Sequence, residues 1–155
     1  MEYNMQGTEN MDFTGMELQP FLLGLLSIFE NKYQACADPF FGEITWKQFF
    51  AIICINLCKE SPTINELSEV MRSSHQNVKQ ILLKLEKVGY VTMVRDEKDK
   101  RKQRITVTQK CRDFCAEHDE MSKKIISSIF TGVSQEDLLI TIRTIMTMEE
   151  NLGDL

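Results

Sequence analysis

The sequence holds only two histidines and three prolines, has no CxxC pair, and has no apolar run near the roughly 18 residues that a membrane span requires. The first absence, with no nucleophile and base at a telling spacing and no P-loop or dinucleotide fingerprint, argues against an enzyme and against a cofactor. Five cysteines, an odd number without a paired spacing, argue against a disulfide framework and fit a reducing compartment. The N-terminus lacks the basic-then-apolar order of a secretory signal. The expectation is a cytoplasmic protein with no membrane association. With 43% apolar residues in 155, the chain can bury a core without disulfides or metals.

The net charge of −5 argues against a nucleic-acid partner until the charge is mapped along the chain. Between Arg72 and Arg104 the balance is +6, and the remainder of the chain carries −11. A basic segment inside an acidic protein is the electrostatic footprint of a local anionic partner.

Residues 1–15 are polar and lack apolar periodicity, which predicts a mobile tail ahead of one domain over 16–155. Leu22, Leu25, Leu26, Phe29, Tyr33 and Cys36 recur at three and four and predict a helix over about 17–37, broken by Asp38, Pro39 and Gly42. Thr45 caps a second helix to about Lys59, apolar nearly all round from Phe49 to Cys58 and therefore central. Thr63-Ile-Asn-Glu66 is a capping box opening a short third helix with Leu67, Val70 and Met71. Either Ser73 or Ser74 caps a fourth helix whose buried stripe is Val78, Ile81, Leu82 and Leu85 and whose stop is Gly89.

Tyr90–Val94 and Ile105–Val107 have the β-branched and aromatic content of a hairpin, and the Asp96–Arg104 connection is too charged to bury. Helices follow from Thr108 to about Phe130 and, capped by Ser134, to about Asn151, the latter carrying Leu138, Ile142, Ile145 and Met146. The fold class is mainly α with a small β-hairpin wing. Helix, short helix, turn, helix and basic ribbon is the order of a winged helix-turn-helix, here over about 45–108. One helix fits a major groove, and a basic ribbon beside it can reach phosphates or the adjacent minor groove.

Over residues 18–151 the chain resembles the MarR family. The matching residues are Thr45-Trp-Lys-Gln-Phe49, Glu66-Leu67, Val78, Leu82, Leu85-Glu-Lys87, Gly89, Asp99-Lys-Arg-Lys102 as a D-x-R-[R/K] wing, and Thr108-Gln-Lys110. Arg72 and Cys111 stand where that family usually has glycine. The resemblance implies a homodimer, made by the helices over about 17–37 and 108–151, that straddles a pseudo-palindromic operator in double-stranded DNA and regulates transcription. It also implies a small aromatic ligand between the dimer helices and the winged part; nine Met and nine Phe could line such a pocket or simply form core.

Ser74, His75, Gln76, Asn77, Lys79, Gln80 and Lys84 fall on the presumed recognition helix, where amides pair with adenine and lysine with phosphate. In the wing, Arg95, Lys100, Arg101, Lys102 and Arg104 are the candidate DNA contacts. Arg101 is the candidate for a narrow minor groove, and Asp99 is expected to pair with Arg101 or Arg95 and fix the turn. Cys111, Cys115 and His118 share one face of the fifth helix, either as a thiol or soft-metal site or as small apolar filling, and the second reading is preferred, with no metal expected. The family's peroxide-sensing cysteine lies near the start of the first helix, whereas Cys36 lies near its end, so that mechanism does not carry over. A winged-helix module that binds an acidic protein instead of DNA is the alternative.

Overall fold

The computed structural model describes residues 15–96 and 99–153, and these fall into two compact units, one up to Cys111 and one from Arg112. The tail expected over the first fifteen residues lies outside the described residues, apart from Gly15.

The first unit opens with α1 (Leu18–Phe41), which ends four residues beyond the end that the sequence predicts. Pro39 lies inside its last turn rather than ending it, because the lost N–H costs one bond and Phe41 is gained as a buried anchor. Gly42 then ends the helix at a φ of +60°, a conformation that glycine adopts without strain. The Asp38 carboxylate accepts the Trp46 N–H at 2.7 Å and so joins the end of α1 to the start of α2 (Trp46–Leu57). Thr45 and Gln48 form a reciprocal capping box there. Ala51, Ile52, Cys54 and Ile55 bury α2 centrally, although Phe50 and Leu57 remain exposed on one side.

The helix α3 (Ile64–Val70) starts at its predicted box, with the Thr63 N–H on Glu66 at 2.7 Å and the Glu66 N–H on Thr63 Oγ1 at 3.3 Å. Leu67 is its one fully buried residue; Val70 is exposed, because the helix is too short to bury a second row. Arg72 takes the left-handed turn at φ +47° in place of the glycine that would adopt it freely. Ser74, not Ser73, caps α4 (His75–Lys87), accepting the Asn77 N–H at 3.2 Å. The predicted stripe of Val78, Ile81, Leu82 and Leu85 is wholly buried.

Strands β1 (Val91–Arg95) and β2 (Gln103–Val107) pair antiparallel from Val91 opposite Val107 to Arg95 opposite Gln103. Ile105 donates its N–H to the Pro62 carbonyl at 2.9 Å, and Thr63 bridges Arg104, so the loop before α3 lies against the hairpin. The connection is not wholly solvated, contrary to the sequence expectation. Asp96 is buried, because Arg104 neutralises it at 2.6 Å. The helix α5 (Gln109–Ile129) begins in this unit, where Thr108 Oγ1 accepts the Cys111 N–H and Lys110 sits 5.0 Å over the Tyr90 ring.

The second unit comprises the rest of α5 and α6 (Gln135–Gly153), which Ser134 caps by accepting the Asp137 N–H. Within one chain α6 carries no buried residue, and Leu139, Ile142, Ile145 and Met146 are exposed.

Candidate nucleic-acid interface

The capping of α3 and α4 decides which side chains meet at the interface. Ser74 fixes the start of α4, so His75 and Lys79 stack one turn apart, exposed along one flank of the buried stripe. Together with Thr63, Ile64, Asn65 and Glu66 of α3 and with Arg101, Lys102 and Gln103 of the wing, they line a groove of about 400 Å³. Four of the sequence-predicted residues are thus brought to one place: His75, Lys79, Arg101 and Lys102. Gln76, Gln80 and Lys84 are exposed along the outer side of the same helix. Asn65 and Gln103 also line the groove, although the sequence reading does not single them out. The capping box at Thr63, which places Asn65 on the first turn of α3, was the signal that could have found it.

Asn77 is exposed, and its amide donates to Ser73 Oγ at 2.8 Å, which holds its donor side toward the turn between α3 and α4. An amide has a carbonyl acceptor and a second N–H besides the one given to Ser73, and these are the groups a base edge pairs with. Ser74 is occupied as the cap.

In the wing, Asp99 pairs with Arg101 rather than Arg95. Its Oδ1 accepts both the backbone N–H and Nε of Arg101 at 3.1 Å, and Oδ2 lies 3.4 Å from the second guanidinium nitrogen. These bonds from Arg101 hold the Asp99 carboxyl below the usual carboxylate range. The Arg101 side chain is nonetheless 90% exposed, so the pair orients a guanidinium that still projects into solvent. Arg95, Lys100 and Lys102 are exposed around it, and none forms an ion pair among the described residues.

Arg104 is placed differently. Half-buried at the loop end of the hairpin, opposite Val94, it meets Asp96 at 2.6 Å, Glu66 at 3.1 Å and the Ser61 carbonyl at 3.0 Å. Glu66 is held below the usual glutamate range, first by the Thr63 backbone N–H and further by Arg104 and Lys102.

The cysteines are dispersed. Cys111 is buried, and Cys115 and Cys36 are not. Burial, with the adjacent Cys58, pushes the Cys54 thiol up and disfavours its thiolate. His118 Nδ1 lies 2.9 Å from the Phe114 carbonyl oxygen, which can only accept, so that nitrogen carries the proton; the ring packs on Phe114 at 4.1 Å. Among the described residues no group of His, Cys, Asp and Glu is arranged to hold a metal ion, and no helix is long and apolar enough to cross a membrane.

Residues 44–102, which span α2 through the wing tip, match the sequence profile of the MarR family. No curated protein matches the chain. Among solved structures the fold is similar to a MarR protein from Peptoclostridium difficile, with a TM-score of 0.79 at 20% identity over 93% of this chain and 94% of that one. It is also similar to S. aureus MepR in a DNA complex, with a TM-score of 0.72 at 15% identity over 83% and 94%. A third is Streptococcus pneumoniae FabT in complex with DNA, with a TM-score of 0.64 at 24% identity over 89% and 99%.

Proposed function

We propose that this chain, identified with the MarR family through residues 44–102, binds double-stranded DNA as a homodimer on a pseudo-palindromic operator and regulates transcription. The observation that carries the reading is the groove in which His75 and Lys79 of a capped, solvent-facing helix meet Arg101 and Lys102 of the wing. Exposed cations beside amide side chains match a phosphate backbone and the base edges next to it. The complexes of MepR and FabT with DNA support the same partner for this fold.

The homodimer is supported by α6, where Ile142, Ile145 and Met146 lie exposed with no buried residue on the helix. Apolar patches of that kind seldom stay open in a soluble monomer. A second copy would cover them and would repeat α4 at the spacing of two half-sites. A small ligand or thiol chemistry modulates occupancy in this reading, and no catalytic step is assigned to the chain.

Selection of bound duplexes from a random library tests the function and the symmetry together. Enrichment of a palindrome by a chain that light scattering sizes as a dimer is expected. No enrichment, with retention of an acidic protein partner instead, would replace DNA with the protein-binding alternative.

A further inference from the structure

Arg104 joins parts of the fold that are far apart in sequence. Its Nε donates to Asp96 Oδ2 at 2.6 Å, and one terminal nitrogen donates to both the Ser61 carbonyl at 3.0 Å and Glu66 Oε2 at 3.1 Å. Glu66 Oε2 also accepts the Thr63 N–H of the capping box that starts α3. On the other side, Asp96 Oδ1 accepts the Asp99 N–H at 2.8 Å, and Asp99 Oδ1 accepts the backbone N–H and Nε of Arg101. Bonds to charged groups therefore run without a gap from the start of α3, through Arg104, to the guanidinium at the wing tip. Such bonds are shorter and stronger than neutral ones, and a planar fork is what lets one side chain serve several acceptors.

We propose that Arg104 is a positioning residue for DNA recognition: it fixes the wing to the first helix of the helix-turn-helix motif and thereby sets where Arg101 is presented, without touching DNA itself. The proposal rests on the DNA-binding reading above. Exposure separates the two arginines, since the Arg104 side chain is 34% exposed with Nε and one terminal nitrogen taken up by Asp96, Ser61 and Glu66, against 90% exposed for Arg101. A guanidinium held in place before binding loses less freedom on binding, and that gain disappears when the hold is released. The wing tip itself offers few apolar contacts to replace it: β1 ends in exposed Val94 and Arg95, and the turn consists of Asp99 to Lys102.

The test is a double-mutant cycle on a duplex recovered by selection, with Arg104→Met, Arg104→Lys, Arg101→Ala and the Arg101→Ala/Arg104→Met pair. Affinity is read by fluorescence anisotropy at a temperature where circular dichroism shows every variant folded. Amide exchange of Asp99 and Lys102 is followed without DNA. Arg104→Met and Arg104→Lys should each weaken binding about tenfold, and Arg104→Met should cost less than about twofold once Arg101 is gone, the non-additivity expected of residues acting through one contact. Exchange at Asp99 and Lys102 should quicken in both Arg104 variants. Full affinity in Arg104→Lys would mean that the charge alone matters, as for a phosphate contact, and would overturn the proposal. Equal cost in both backgrounds, or full affinity in Arg104→Met, would overturn it as well. A wild-type chain that binds no duplex overturns the DNA-binding reading and this role with it. That result is distinct from failure of the role alone, in which the wild type binds and only the variant pattern departs.

Discussion

Lys79 offers the most direct measure of how this surface would hold DNA. It is exposed on the first turns of α4 and lines the groove with Arg101 and Lys102, while its neighbour Val78 is fully buried. Lys79→Ala therefore removes a charge without disturbing the packed stripe, and its effect on stability should stay within about 0.5 kcal/mol. An ammonium only donates, so against phosphate it adds affinity without sequence preference. If each protomer neutralises about four phosphates, the log-log salt slope of the dimer is about −7, and removing one lysine from each protomer brings it to about −5. Between ~50 and ~200 mM salt, the affinity lost by the variant should then be roughly tenfold less than the affinity lost by the wild type. Anisotropy titrations across that range, on the preferred duplex and on a scrambled one, give both slopes. An unchanged slope, or a loss confined to the preferred duplex, would refute the phosphate assignment and place Lys79 at a base edge.

Asn77→Ala should relax preference at one position in each half-site, by roughly 1 to 3 kcal/mol between the right and wrong base, as read by repeating the duplex selection. Because Asn77 also donates to Ser73, Ser73→Ala serves as the control and should leave base preference intact. Glu66 has its carboxyl pKa lowered in the folded chain, so its contribution to stability is present above the ordinary glutamate pKa and is lost as pH falls through the lowered value. Thermal midpoints should accordingly fall more steeply between about pH 5 and pH 3 in the wild type than in Glu66→Gln, which keeps an acceptor for the Thr63 N–H; parallel curves would show that the carboxylate is not responsible.

What could be read from the sequence were the features whose cause is local. Thr45 with Gln48, Thr63 with Glu66, and Ser134 before Asp137 announce helix starts because the capping bond closes within three residues. The α4 stripe is legible for the same reason, since a helical face repeats every three or four residues. Ser73 and Ser74 could not be told apart, because both can cap and only the turn at Arg72 decides between them. Pro39 misled, because a proline in a last turn costs one hydrogen bond, and burial of Phe41 two residues later outweighs it. The apolar residues of α6 were legible as a helical face, and the structure leaves that face exposed.

The basic segment shows where local reading stops. In sequence its arginines and lysines are equivalent positive charges, and the inference that they meet phosphate treats them as a sum. The fold divides them by what lies across from them in space. Arg104 meets Asp96 eight residues back across the hairpin, Glu66 at a separation of 38 and Ser61 at 43, so no spacing rule could have revealed these partners. Asp96 misled in the complementary sense: as an acid in a charged loop it belongs in water, and it is buried because its neutralising partner is fixed by strand register. Arg101 keeps its exposure because Asp99, two residues away on a tight turn, can hold the guanidinium only from one side. A count of charge thus points to the kind of partner, whereas the strand register decides which charges are already met within the fold.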